Sequence, residues 1–272
     1  MLLDFDRMGW PLRTGLIGVG VLTALFLLLP IAFIVALSFG SSQWLVFPPP
    51  GWTLEWYRQL LDDPGWLAAT WASFKVACIV TVLSVSLGFV TSLALVRGNF
   101  RGKAVLKAFF LTPMVLPVVV LAVALYALFL RMGLTGTMVG FILGHLVIAL
   151  PLSIIALTNA LESFDFALED AARICGASEW TVKWRVTLPS VRLGLASAAV
   201  FSFLVSWDEV VVSIFMSAPG VETLPVRIWS ALRQDLSPVI AAASALLIGF
   251  TVILMLLSAA LKKRSAHHGR KA

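Results

Sequence analysis

Charge is what this chain has least of. Asp, Glu, Lys and Arg make up 12% of its 272 residues, about half of the roughly 25% usual in soluble domains. That scarcity excludes an ordinary water-soluble globule, and a mean hydropathy of +0.98 agrees. Cysteine is nearly absent. Cys78 falls in an apolar segment and Cys175 in a charged one, so they should lie at different depths, and neither a disulfide nor a metal site is expected. Also missing are a glycine-rich phosphate loop ending in Lys-Ser or Lys-Thr, an HExxH, a CxxC and a nucleophile elbow. Nothing therefore points to ATP binding by that route, to a cofactor or to a catalytic set. The net charge is +6, yet the basic residues form no continuous stripe, so nucleic acid is not an expected partner. No long polar linker marks a second domain, and residues 1–272 read as one transmembrane domain.

Long apolar runs are present instead. Six are long enough for a hydrocarbon core of about 30 Å, which takes about 20 helical residues: Thr14–Leu37, Thr70–Val96, Ala104–Leu130, Val139–Leu161, Leu193–Met216 and Pro238–Leu261. The first is too long for a signal h-region and lacks a small-residue cleavage pattern, so it should remain as a helix. Pro113, Pro117 and Pro151 predict kinks in the third and fourth segments. Gly136, Gly140 and Gly144, four apart, suit close helix packing. His145, alone in the fourth segment, is expected to bond to a neighbouring helix, and His267 and His268 to be solvated in the basic tail.

Orientation follows from Lys and Arg. With the N-terminus inside, the inner segments hold Arg7, Arg13, Arg97, Arg101, Lys103, Lys107, Arg173, Lys183, Arg185, Arg192, Lys262, Lys263, Arg264, Arg270 and Lys271, fifteen of the twenty basic residues. Both termini then face the cytoplasm. The longest outer loop, Phe39–Ala69, has a stiff Pro48-Pro49-Pro50-Gly51 turn and the start of a short helix at Thr53. Trp44, Trp52, Trp56, Trp66 and Trp71 lie in or beside it, where interfacial anchoring is the plain expectation. The last outer loop, Ala218–Ser237, reads as a short surface helix around Leu224-Pro225.

The longest charged stretch between apolar segments begins at residue 162 and ends at residue 192. Phe164, Leu168, Ala171, Ala172 and Cys175 make one apolar helical stripe. Glu169 and Arg173 fall four apart and can pair. Gly176 breaks the helix, Ser178 is placed to cap a second one carrying Trp180 and Trp184, and Pro189 marks its end. The pattern Asp170-Ala171-Ala172, then Gly176, Val186 and Leu188-Pro189 resembles the EAA loop of ABC importer permeases. Asp170 stands where that family usually has Glu and Val186 where it often has Ile. The acidic contact falls to Asp170 or to its neighbour Glu169. The plainer reading of this stretch is an amphipathic connector on the bilayer.

The resemblance implies an all-α type I importer permease of the MetI-like fold, with six transmembrane helices and both termini cytoplasmic. It also implies that the loop docks on a partner ATPase, so the chain would itself be no enzyme. Trp207-Asp208-Glu209, the later Leu224-Pro225 and the Pro49-Pro50-Gly51-Trp52 stretch look like the spermidine/putrescine branch. That branch implies a bacterial inner-membrane subunit working with a second related permease, two ATP-binding subunits and a periplasmic binding protein. Ferric iron, thiamine or phosphonate branches share much of the pattern, and an ion-coupled secondary transporter is the reading from another class.

Carboxylates at membrane depth cost about 2.5–3.5 kcal/mol each at the centre of a span. Asp208 and Glu209 therefore call for water, a partner or a cation. They are expected either to be satisfied structurally, by Arg227, Arg233 or a neighbouring chain, or to face a cation path together with Trp207.

Overall fold

The computed structural model describes residues 9–234 and 236–268, with side chains as far as residue 260. Arg7, Arg270 and Lys271 lie outside the described residues, as do the side chains of Lys262, Lys263, Arg264, His267 and His268. The described chain runs through α1 (Trp10–Ser38), α2 (Glu55–Asp62), α3 (Pro64–Arg97), α4 (Lys103–Val115), α5 (Val118–Arg131), α6 (Met138–Glu162) and α7 (Ala167–Ile174). It continues with α8 (Glu179–Val182), a π-helical turn (Lys183–Thr187), α9 (Leu188–Ser190), α10 (Arg192–Trp207), α11 (Val211–Met216), α12 (Leu224–Gln234) and α13 (Val239–His268). By length and composition α1, α3, α6 and α13 can each cross a membrane, and the number is up to six if the bent pairs Lys103–Val115 with Val118–Arg131 and Glu179–Ser190 with Arg192–Trp207 each count as one span.

The kink that the prolines predict in the third segment is a full break. The third segment is two helices, α4 and α5, meeting at 103°. Pro117 causes the break: its ring disfavours helical backbone in the preceding residue, and Leu116 is extended at φ −73°, ψ 140°. Pro113 and Pro151 lie inside continuous helices. The fifth segment is interrupted as well, since α10 stops at Trp207 and α11 starts at Val211.

Contacts divide the chain into two compact units. One holds the described residues up to Asp62 with Ala231–Leu246. Within it, the loop after α1 folds on short polar contacts: Trp56 Nε1 donates to the Gly40 carbonyl at 2.6 Å, and the hydroxyls of Ser38 and Tyr57 are 2.7 Å apart. Trp56 is thus a buried anchor rather than an interfacial one, whereas Trp44 and Trp52 are exposed. The first 27 residues of α1 include none that is buried.

The other unit holds Asp63–Ser230 and the residues from Leu247 onward. Its α3 starts where Asp63 accepts from the Gly65 amide at 2.6 Å and Pro64 supplies a pre-set first turn. Helices α3, α6 and α10 pack pairwise, and α11 packs on α5 and α6. Between apolar helices in lipid the hydrophobic effect gives little, so close approach and hydroxyl bonds decide the packing. Ser84 bonds Ser202 at 3.0 Å, Ser92 donates to the Ile154 carbonyl at 3.1 Å, and Thr158 donates to Ser92 at 3.2 Å. Of the three glycines spaced by four, only Gly144 makes room for another helix, because a Cβ there would press on Val212 of α11 at 2.9 Å. Gly136 lies in the turn before α6 with φ +73°, and Gly140 faces the Leu134 carbonyl of that same turn. The α12 helix does not simply lie on the surface: Leu224, Pro225 and Val226 are buried, and the Leu224 amide donates to Ser73 of α3 at 2.8 Å.

Candidate functional site

The charged stretch folds as the spacing predicts. Helix α7 closes in a Schellman arrangement, with Gly176 donating to the Arg173 carbonyl at 2.9 Å and Ala177 to that of Ala172 at 3.0 Å. Gly176 has φ +84°, with open space where a side chain would stand. Ser178 then caps α8 by accepting from the Thr181 amide at 3.3 Å. The helical path runs past Pro189 to Ser190, and the 69° bend into α10 follows at Val191. Pro189 has no N–H and crowds the carbonyl four residues back. The π turn at Lys183–Thr187 sits at that place.

The two candidate acids face opposite ways. Glu169 is 1% exposed and accepts from Arg97, at the end of α3, and from Thr187, in the π turn. Arg173 Nη2 also reaches it at 3.3 Å. Burial would raise the Glu169 carboxyl, but bonds from Arg97 and Thr187 and the charges of Arg97 and Arg173 hold it below its ordinary value. Arg97 also lies over the Phe166 ring at 4.7 Å. Glu169 is therefore an internal tie between loop and bundle, not an outward contact. Asp170 is the outward acid, with a side chain 71% exposed and held by Arg173 Nη1 at 2.7 Å. Arg173 also bonds Glu179 at 2.6 Å, so one guanidinium spans both loop helices.

Around Asp170 the apolar stripe is bare. Leu168, Ala171 and Cys175 are exposed, and Ile174 is 87% exposed. Behind it the loop is rooted by Leu161, Phe164 and Val191, against which Val186, Phe89 and Val96 pack. Leu188 turns into a groove of about 550 Å³ shared with Trp180, Trp184 and Phe89, and Pro189 is exposed. Arg97 and Thr187 are functional candidates that sequence reasoning missed. Their only signal was a charge at a helix end and a hydroxyl two residues before Pro189.

The second candidate site lies at the α10–α11 break. Asp208 closes α10 and is exposed. Glu209 turns back, and its Oε1 accepts from the Val212 amide at 2.8 Å, capping α11. The two acids thus sit in a break, where adjacent residues do not follow the 100° step of a helix. Trp207 is 4% exposed, stacked on Phe203 at 5.8 Å and against Phe250 at 4.9 Å. Arg227, one candidate partner for the acids, is engaged elsewhere. It bonds Glu222 at 2.7 Å and Asp63 at 3.3 Å and lies over Trp66 at 5.1 Å, so Trp66 is buried while Trp71 is exposed. His145 meets the expectation of a bond to a neighbouring helix, with partners on both α10 and α11. Among the described residues no three His, Cys, Asp or Glu gather as metal ligands.

Residues 83–267 match the family described as binding-protein-dependent transport system inner membrane component. The chain is 30% identical over 241 residues to the spermidine/putrescine transport system permease protein PotC of Escherichia coli (strain K12), covering 88% of this chain and 91% of that one. It is 30% identical over 231 residues to the putrescine transport system permease protein PotI of the same strain, covering 82% of each. Among solved structures it superposes on a bacterial alginate ABC transporter in complex with an alginate pentasaccharide-bound periplasmic protein. The TM-score there is 0.71, with 15% identity and 96% of each chain covered.

Proposed function

This chain belongs to the family of binding-protein-dependent transport system inner membrane components, and from that membership we propose that it is the permease subunit of an ATP-driven polyamine importer. Two lines support the substrate. Relatives that cover most of the chain carry spermidine or putrescine in their names, and Asp208 holds an exposed carboxylate at a helix break. A polyamine carries at least two positive charges at neutral pH. A path for it must offer counter-charge on entry and still bind weakly enough for release. Asp208 supplies the charge, and Glu209 keeps the break in shape by capping α11.

The ATP would be hydrolysed on separate subunits. Asp170, Ala171, Ala172 and the bare stripe around Ile174 form the face that meets an ATPase, with Gly176 setting the angle between the loop helices. Val186 packs the second loop helix on the bundle, Leu188 and Pro189 complete the coupling stretch at its end, and Glu169 ties the whole to α3. A second related permease and a periplasmic binding protein would complete the complex in a bacterial inner membrane. Its decisive test is uptake of radiolabelled spermidine by the reconstituted complex. Uptake that needs both ATP and the binding protein supports the reading. Uptake by this chain alone without ATP would make it a secondary transporter, and selective uptake of ferric iron, thiamine or a phosphonate would move it to another branch.

Orientation gives a simpler expectation. Reporters fused after Trp44 and Leu134 should be external, and those after Gly102 and Ser178 cytoplasmic, because basic residues concentrate on the inner side. An external Ser178 reporter would sink the assignment, since no cytoplasmic ATPase could reach the loop. Gly176→Leu is expected to insert normally yet lose ATPase co-purification and transport. A bulky residue at φ +84° costs about 1–2 kcal/mol, and the loop can relieve it only by changing the angle between its helices. Wild-type uptake with normal co-purification would contradict this.

A further inference from the structure

The break at Asp208–Glu209 is bridged by a residue from another helix. His145 of α6 is 1% exposed, and both its ring nitrogens are used: Nδ1 lies 2.9 Å from Ser206 Oγ and Nε2 2.8 Å from Ser213 Oγ. Ser206 is two residues before Asp208 on α10, and Ser213 four after Glu209 on α11. A neutral imidazole has one donor and one acceptor, and serine hydroxyls can answer either, so both bonds can be satisfied at once. Both halves pack on α6, α10 together with α3 and α11 together with α5. Gly144, next to His145, lets α11 approach α6 closely.

We infer that His145 is a positioning residue: by bonding the helices on both sides of the break it fixes the angle between α10 and α11, and with it the place of the Asp208 carboxylate. The inference rests on the cation-path reading of Asp208. The physical case is that a broken helix in lipid keeps its geometry only where its polar groups and flanks are held by neighbours. Glu209 holds the freed Val212 amide. His145 holds the flanks. The break then moves with α6 as one body when the transporter changes state, instead of flexing as a hinge.

The test uses the reconstituted complex in lipid nanodiscs or proteoliposomes, with two readouts. One is amide exchange in the segment 206–216, which needs no substrate. The other is the number of radiolabelled spermidine molecules imported per ATP hydrolysed. His145→Leu keeps the volume and removes both bonds. It should raise exchange by about tenfold or more, as the loss of two buried hydrogen bonds implies, and lower spermidine per ATP about tenfold, with ATP hydrolysis within twofold. His145→Asn preserves reach to Ser206 and His145→Gln reach to Ser213, so each should recover part of both readouts. Ser206→Ala with Ser213→Ala should match His145→Leu, and adding His145→Leu to that pair should do no further harm.

Unchanged exchange in His145→Leu overturns the bridge. Raised exchange with unchanged spermidine per ATP overturns its role in transport. Equal loss of import and hydrolysis, unrelieved by Asn or Gln, reduces His145 to a folding residue and also overturns the proposal. If the unmodified complex imports no spermidine, the polyamine reading fails instead, and exchange alone decides the bridge.

Discussion

Arg97→Met and Glu169→Gln are each expected to cut spermidine import at least tenfold while the ATPase still co-purifies with the subunit. The exposed face around Asp170 and Ile174, proposed above to meet the ATPase, is untouched by either change. What is lost is the tie between the loop and the end of α3, where Glu169 accepts from both Arg97 and Thr187. Removing one partner of a buried pair leaves a charge without compensation, at about 3–5 kcal/mol. The low end applies to both variants, because Glu169→Gln leaves Arg97, whose side chain is 23% exposed, and Arg97→Met leaves Glu169 with Thr187 and Arg173 still beside it. The loop would still bind an ATPase, yet its movement would no longer be carried into the bundle, so hydrolysis should persist without import. Arg97→Lys keeps the charge but replaces the planar guanidinium whose Nη2 serves Glu169 by a compact ammonium, and an intermediate effect is expected.

Acid should act in the same direction. The Glu169 carboxyl is held below its ordinary value of 4.5, so its stabilisation is fully present above that pH and is lost as pH falls through the lower folded value. Import and ATP hydrolysis by reconstituted variants, compared at equal subunit levels, check the point. Wild-type import by Arg97→Met would show that the tie carries no force.

Asp208→Asn is expected to lower import by between about tenfold and a hundredfold, and Glu209→Gln by less. The first range corresponds to losing one charge-assisted contact, about 1.5–3 kcal/mol. Glu209 acts through the cap it gives the Val212 amide, and a glutamine carbonyl can accept the same bond. The order of the two variants is thus as informative as their size. Both are to be compared at matched membrane levels with the ATPase bound. If Asp208→Asn imports at the unmodified rate, the carboxylate is structural, and the case for a polyamine rests on relatives alone. If Glu209→Gln is the more damaging, the counter-charge belongs to Glu209 and the cap is incidental.

Both sites show how far local pattern reaches. The apolar stripe at Leu168, Ala171 and Cys175, the glycine at 176 and the serine cap at 178 are local devices, and each appears in the loop as the spacing implies. The apolar runs fixed the class of the protein, because backbone in lipid must satisfy its own hydrogen bonds and a run of about 20 apolar residues has few other fates. Hydropathy averages over such a run, however: Pro117 marked a kink in the third, but nothing in the pattern showed that the fifth is broken at Asp208. Nor could it separate Glu169 from Asp170. Adjacent residues on α7 differ by about 100° in direction, and which of them points inward depends on where Arg97 and Thr187 arrive. Arg97 is 72 residues from Glu169 in the chain, and His145 is 61 and 68 residues from its two serines. The sequence alone determined an all-helical membrane permease with a charged helix-break-helix loop between two of its apolar runs. The tertiary structure alone decided which acid anchors that loop, which carboxylate stays open and which histidine holds the break, because each depends on a hydrogen bond between helices distant in sequence.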